Sequence, residues 1–165
     1  MKKITLIVFC LLMVFSVEGQ QKTYKKFNDT VFVVNDVILA PSILFELGKC
    51  EILPLSKDSI NVIATFIKSH PKLKIEIGVH TDIRGDKRKN LTLSECRASS
   101  ILNCLTKDLY APVTNLVIKG YGSSQPIFTE TRITHETEKK HLDLSEREVF
   151  YANNKRVEIK ILKVE

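Results

Sequence analysis

The 165-residue chain carries 25 lysines and arginines against 19 aspartates and glutamates, a formal net charge of +6, and 44% of its residues are hydrophobic. That length supports one domain around a single core and leaves too little chain for a membrane barrel joined to such a domain. No long basic run interleaved with aromatics accompanies the positive excess, which argues against a nucleic-acid partner and fits a solvated surface.

Lys2 and Lys3 precede an apolar run, Ile4 to Phe15, followed by Ser16-Val17-Glu18-Gly19. This is the order of a secretory signal peptide. The run falls short of the about 20 residues that a transmembrane helix needs. Residues 1–19 are therefore expected to be removed by cleavage after Gly19 or Gln20, leaving an exported chain with no transmembrane segment.

Residues 20–36 read as a polar, lysine-rich leader with a short strand at Val31–Val34. Val37 to Phe45 is a second extended run, interrupted by Pro41, and Phe45-Glu46-Leu47-Gly48-Lys49 reads as a strand end opening into a loop. Ile60, Ile63, Phe66 and Ile67 recur at helical spacing within Lys57–Ser69, with Ser56 as N-cap and Pro71 beyond the end. Leu73, Ile75, Ile77 and Val79 then alternate with Lys74, Glu76 and Gly78, the period of a half-buried strand.

The charged stretch Ile83–Leu91 reads as a loop, and Thr92-x-x-Glu95 as a capping box for a helix running to about Lys107, with Ala98, Ile101, Leu102 and Leu105 as its buried stripe. Leu116–Lys119 is a third strand, stopped by Gly120-Tyr121-Gly122, and Arg156–Val164 a fourth. Between them, residues 128–153 form a long polar loop with a short helix near Ser145–Tyr151. The predicted fold is α+β, a β-α-β-α-β-β sandwich whose mixed four-stranded sheet carries two main helices on one face. The domain spans residues 37–165.

Three cysteines follow the leader, Cys50, Cys96 and Cys104, and an odd count in an exported chain leaves at least one thiol unpaired. Cys96 and Cys104 lie on one predicted helix about 12 Å apart, beyond disulfide reach. A Cys50–Cys96 bridge stays open, with free thiols the expectation. No spacing resembles a zinc site, and no cofactor is called for.

Ile43-Leu44-Phe45-Glu46, His80-Thr81-Asp82, Asn90 with Leu93-Ser94-Glu95-Cys96-Arg97-Ala98, Gly120-Tyr121-Gly122 before Gln125-Pro126, and Asn154-Lys155-Arg156-Val157-Glu158 occur in this order. Together they resemble the OmpA-like peptidoglycan-binding domain family, over roughly Val37–Leu162. The resemblance implies that Asp82 and Arg97 grip the free end of diaminopimelate in the peptidoglycan stem peptide. One carbon there bears an ammonium and a carboxylate, so a site needs one anion and one cation, and the planar arginine fork can take both carboxylate oxygens.

The same resemblance adds Asn90, which either bonds ligand or braces the loop, Thr81 and Leu93 as lining, and Glu46 and Arg156 at the margins. With Thr92 as cap, Arg97 follows the first helical turn and shares the positive end of the helix dipole. His80, at a strand end, reads as a packed, hydrogen-bonded residue. Val79 departs from the glycine often found before H-T-D, and Glu46 from the usual aspartate.

The expected function is non-covalent binding of peptidoglycan by a protein in the periplasm of a diderm bacterium, associated with the outer membrane or wall. The alternative is a subunit of an envelope or secretion complex that uses the fold to dock other envelope proteins. No serine elbow, H-E-x-x-H or catalytic Cys–His arrangement is present, so no enzyme is expected.

Overall fold

The computed structural model describes residues 24–129, 131–135 and 143–164. The signal-peptide assignment lies outside these residues. No helix among them is long and apolar enough to cross a membrane.

Four strands form one sheet: β1 (Val37–Leu39), β2 (Leu73–His80), β3 (Leu116–Gly122) and β4 (Arg156–Val164). Their spatial order is β1-β4-β2-β3, with β2 and β3 parallel and the other pairs antiparallel. The register places Ile75 opposite Ile161, Ile77 opposite Ile159 and Val79 opposite Val157, and these six apolar side chains are buried on one face. Helices α1 (Lys57–Ser69) and α2 (Lys87–Asn103) supply the other half of this core through Ile60, Ile63, Phe66 and Ile67, and through Ala98 and Ile101. The predicted α+β sandwich with two helices on one face is the architecture found.

The opposite face is polar. His80 stacks on Tyr121 with ring centroids 5.1 Å apart, the Tyr121 hydroxyl donates to Glu76 at 2.6 Å, and Glu158 accepts from Tyr24 and Arg156. His80 is 4% exposed and thus packed, with Nε2 3.7 Å from Glu158.

Several boundaries differ from the sequence reading. Residues 31–34 form no strand, because the Asp36 carboxylate accepts from the Val33 amide and Asn35 adopts a φ of 74°, which turns the chain. The extended run after Val37 stops at Leu39, before Pro41, and Phe45 makes only an isolated bridge to Ile52. Ser56 precedes α1 but its side chain does not cap it; Oγ accepts from the Leu44 amide at 2.7 Å instead.

Helix α2 begins at Lys87, not Thr92. Asp86 caps it by accepting from the Lys89 amide at 2.9 Å, which leaves Thr92 inside the helix. A π-helical turn, Cys104–Asp108, finishes the element close to the predicted Lys107.

The short helix expected near Ser145–Tyr151 is present as α3 (Leu144–Asn154); the long polar segment also holds a helical stretch at residues 131–135, and Ile133, Tyr151 and Asn154 are buried. Asn154 binds the segment back on itself, accepting from the Ile127 and Phe128 amides and donating to the Phe128 carbonyl.

Helix α2 lies unusually close to β3. A Cβ on Gly120 would fall against the Glu95 amide nitrogen and 2.5 Å from the Ser94 carbonyl carbon, so only glycine fits. Fully buried Ser94 closes the contact by accepting from the Gly122 amide and donating to the Leu91 carbonyl, both at 2.7 Å. This packing fixes where α2 carries its polar residues relative to the end of β2.

Candidate functional site

A cleft of about 750 Å³ opens where β2 ends, walled by residues 39–45, the start and middle of α2, and the junction of α3 with β4. Asp82, Thr81, Asn90, Leu93, Arg97 and Arg156 all line it, together with Phe45 and Lys155. The one predicted residue left out is Glu46. Its side chain turns to Lys49, with which it pairs at 2.7 Å on the exposed loop.

Asp82 lies two residues beyond the end of β2 and keeps its carboxylate largely covered. The Arg84 amide donates to Oδ1 at 2.9 Å, an Asx-type turn, and Arg84 Nε donates to Oδ2 at 2.8 Å. Lys155 Nζ lies 3.6 Å from the same Oδ2. Burial opposes the ionised form, but the Arg84 hydrogen bonds and the two cations outweigh it and hold the carboxyl below its usual range. Asp82 is therefore an anion that already has partners.

Arg84 was not among the expected site residues. Its guanidinium also donates to Glu148 at 2.8 Å and lies 4.4 Å from the Tyr151 ring centroid, so α3 holds it over Asp82. A D-x-R spacing is the local signal for it, but the grip from α3 spans 64 residues and leaves no trace in sequence.

Arg97 presents the opposite case. It projects from α2 about three turns in, too far for the dipole of the helix start to act on it. The expectation of help from that positive end is corrected by the earlier start of the helix. Nε donates to the Lys49 carbonyl at 3.0 Å, and the guanidinium lies 4.7 Å from the Phe45 ring centroid. Among the described residues no carboxylate pairs with it, and burial lowers its pKa from the ordinary value. A desolvated cation with unspent donors is suited to a carboxylate brought from outside.

Asn90 lies in the first turn of α2, not in a preceding loop, and donates to the Arg84 carbonyl at 2.9 Å and the Asp82 carbonyl at 3.3 Å. In this structure it braces the turn that presents Asp82. Thr81 is buried, its amide donating to the Gly122 carbonyl at 2.9 Å. Arg156 reaches the cleft wall with its donors spent on Glu158, the Asn154 carbonyl and the Gln125 carbonyl, which leaves it a structural tie and not a group free for ligand.

Cys50 and Cys96 form a disulfide, with Cα atoms 5.7 Å apart, while Cys104 stays a half-buried thiol. The expectation of free thiols is corrected: the hairpin between Phe45 and Ile52 folds onto α2 and brings the pair together. No group of three or more His, Cys, Asp or Glu side chains that could hold a metal occurs among the described residues.

A family model for OmpA matches residues 44–140, which include β2, α2 and the cleft residues Asp82, Asn90 and Arg97. The chain belongs to the OmpA family. Among relatives of this OmpA-family chain, the outer membrane porin F of Pseudomonas fluorescens is 32% identical over 83 residues, 50% of this chain and 25% of that protein. The peptidoglycan-associated lipoprotein of Legionella pneumophila is 34% identical over 70 residues, 41% of this chain and 38% of that protein. The chain thus spans less than half the length of these two relatives.

Solved structures share the OmpA-family fold. The periplasmic domain of Helicobacter pylori MotB superposes with a TM-score of 0.56 at 21% identity, covering 79% of this chain and 83% of that one. The cell wall anchor of the T6SS from Pseudomonas aeruginosa gives 0.52 at 20% identity, covering 74% and 76%.

Proposed function

We propose that this OmpA-family chain holds peptidoglycan non-covalently, through the diaminopimelate end of the stem peptide, and so anchors or organises the envelope from the periplasm of a diderm bacterium. The observation that carries the reading is a single cleft with Asp82 on one wall and Arg97, a desolvated cation with no carboxylate partner among the described residues, on another. The ligand's carboxylate takes the Arg97 fork and its ammonium joins the cluster around Asp82. Two relatives support the role by name, a peptidoglycan-associated lipoprotein and a cell wall anchor. The chain acts as a binder and performs no chemistry on the wall.

Asp82 already has Arg84 and Lys155 beside it, whereas Arg97 has no carboxylate partner among the described residues, so the cleft favours a ligand with a free carboxylate. Co-sedimentation with purified sacculi, with and without free diaminopimelate as competitor, tests the reading. Arg97→Ala and Asp82→Ala each remove about 1.5–3 kcal/mol of charge-assisted bonding, which weakens binding roughly 10- to 150-fold. Unchanged sacculus binding by both variants, with melting curves showing them folded, refutes the site. Retention of envelope proteins by a chain that never sediments with sacculi favours the docking role instead.

A further inference from the structure

Arg97 is held by one hairpin. Phe45 supplies the ring beneath its guanidinium, Lys49 supplies the carbonyl that accepts from Nε, and Cys50 is joined to Cys96, the residue just before Arg97 on α2. The other bonds of this hairpin act within it: the Glu46 amide donates to the Glu51 carbonyl at 2.9 Å, the Lys49 amide to the Glu46 carbonyl at 3.0 Å, and Phe45 bridges Ile52. Its tip is bare, with Leu47 96% exposed and Gly48 at a φ of 69°. The disulfide is the covalent tie between this hairpin and the helix that carries Arg97.

We propose that the Cys50–Cys96 bridge is a redox-sensitive positioning device for Arg97, so that ligand affinity at the cleft depends on the bridge being closed. The proposal rests on the peptidoglycan reading for the identity of the ligand, but not for the effect on Arg97. With the bridge closed, the hairpin holds a long, rotamer-rich side chain in one pose, and the ordering cost of binding is met in advance. With it open, Phe45 and Ile52 still rest against the core, but the tip that carries Lys49 and Cys50 is loosened from α2, the carbonyl that accepts from Nε shifts, and Arg97 samples its rotamers.

The chemistry needs only a dithiol reductant. Its thiolate attacks one sulfur of the bridge to give a mixed disulfide, and the second thiol displaces the protein sulfur. Two electrons and two protons pass to Cys50 and Cys96, which end as thiols, and the reductant ends as a disulfide. Access is available because Cys96 is exposed and Cys50 only half-buried. Cys104 is a separate half-buried thiol whose pKa burial and Asp108 push upward, which disfavours it as a competing nucleophile.

The test uses the full chain carrying Cys104→Ser, oxidised, reduced with dithiothreitol, and with Cys50→Ser plus Cys96→Ser, each checked for folding by circular dichroism. Two readouts are taken: the rate at which phenylglyoxal modifies Arg97, followed by peptide mass spectrometry, and co-sedimentation with sacculi. Opening the bridge is expected to speed Arg97 modification and to weaken sacculus binding about tenfold, the equivalent of losing about 1.4 kcal/mol. The double-serine chain should match the reduced form and ignore dithiothreitol. If that chain does not fold, titration of the Cys104→Ser chain with dithiothreitol below its melting temperature supplies the same comparison.

Equal Arg97 modification and equal sacculus affinity in folded oxidised and open forms overturn the proposal. Faster modification in a protein that binds no sacculi in either state supports the device and removes the peptidoglycan reading alone.

Discussion

Gly120→Ala tests whether the approach of α2 to β3 sets both the stability and the site. The added methyl would meet the Glu95 amide nitrogen, the Ser94 carbonyl carbon at 2.5 Å and Ser94 Oγ at 2.6 Å. Two of these are backbone atoms that cannot rotate away, so α2 must withdraw by about 1 Å to restore ordinary contact. Overpacking of this kind costs about 1–3 kcal/mol, and loosening the 2.7 Å bond from the Gly122 amide to Ser94 Oγ adds about 1 kcal/mol. A loss of about 2–4 kcal/mol lowers the melting temperature by roughly 4–16 °C for a domain of this size. Thermal unfolding followed by circular dichroism measures it, with Gly85→Ala as control, since there the φ of 85° is strained but nothing lies within 4 Å. Sacculus binding should fall as well, because α2 carries Arg97 away from the sheet end beside which Asp82 stands. A Gly120→Ala chain melting within about 2 °C of the parent refutes the packing argument.

The polar face of the sheet predicts an alkaline weakness. Burial, and then hydrogen bonds to Glu158 and Glu76, push the Tyr24 and Tyr121 hydroxyls each up to about 12. A folded pKa above the unfolded value of about 10 means this stabilisation is intact below pH ~10 and fades as pH rises through ~12. Melting temperature against pH across that window should drop for the parent and drop less for the chain carrying Tyr24→Phe and Tyr121→Phe, and parallel curves would contradict the assignment. Asn154→Ala removes the partner of two amides and a carbonyl at a fully buried position, so it should cost about 2–4 kcal/mol by urea denaturation. A loss below about 0.5 kcal/mol would show the α3 segment to be held by other means.

The sheet and the two main helices were legible because their signals are local and periodic. Leu73 to Val79 alternate and Ile60 to Ile67 recur at helical spacing, and the core is built from those residues. Errors arose where two local rules competed. Lys87, Arg88 and Lys89 oppose a helix dipole and read as loop, yet the Asp86 cap and the burial of Ser94 and Ala98 further along start α2 there. Apolar Val31 to Val34 read as strand, but Asp36 and Asn35 form a turn that leaves Val31, Val33 and Val34 exposed.

For the site, the family motif named Asp82, Thr81, Asn90, Leu93 and Arg97, which all line one cleft, but no motif reports the charge state of a neighbourhood. Asp82 has Arg84 and Lys155 at hand, Arg84 being held in turn by Glu148 and Tyr151 from the far end of the chain. Arg97 has a backbone carbonyl and an aromatic ring. These contacts join segments remote in sequence, so spacing could not reveal them. They also break the symmetry that a zwitterion-binding pair suggests on paper. An incoming ammonium must share a carboxylate with two resident cations, whereas an incoming carboxylate finds a desolvated guanidinium without an anion beside it among the described residues. Differential binding comes from the group whose partner is missing before the ligand arrives. On the proposed reading, the larger share of affinity belongs to Arg97 and to the hairpin that holds it, with Asp82 setting which end of the ligand points inward.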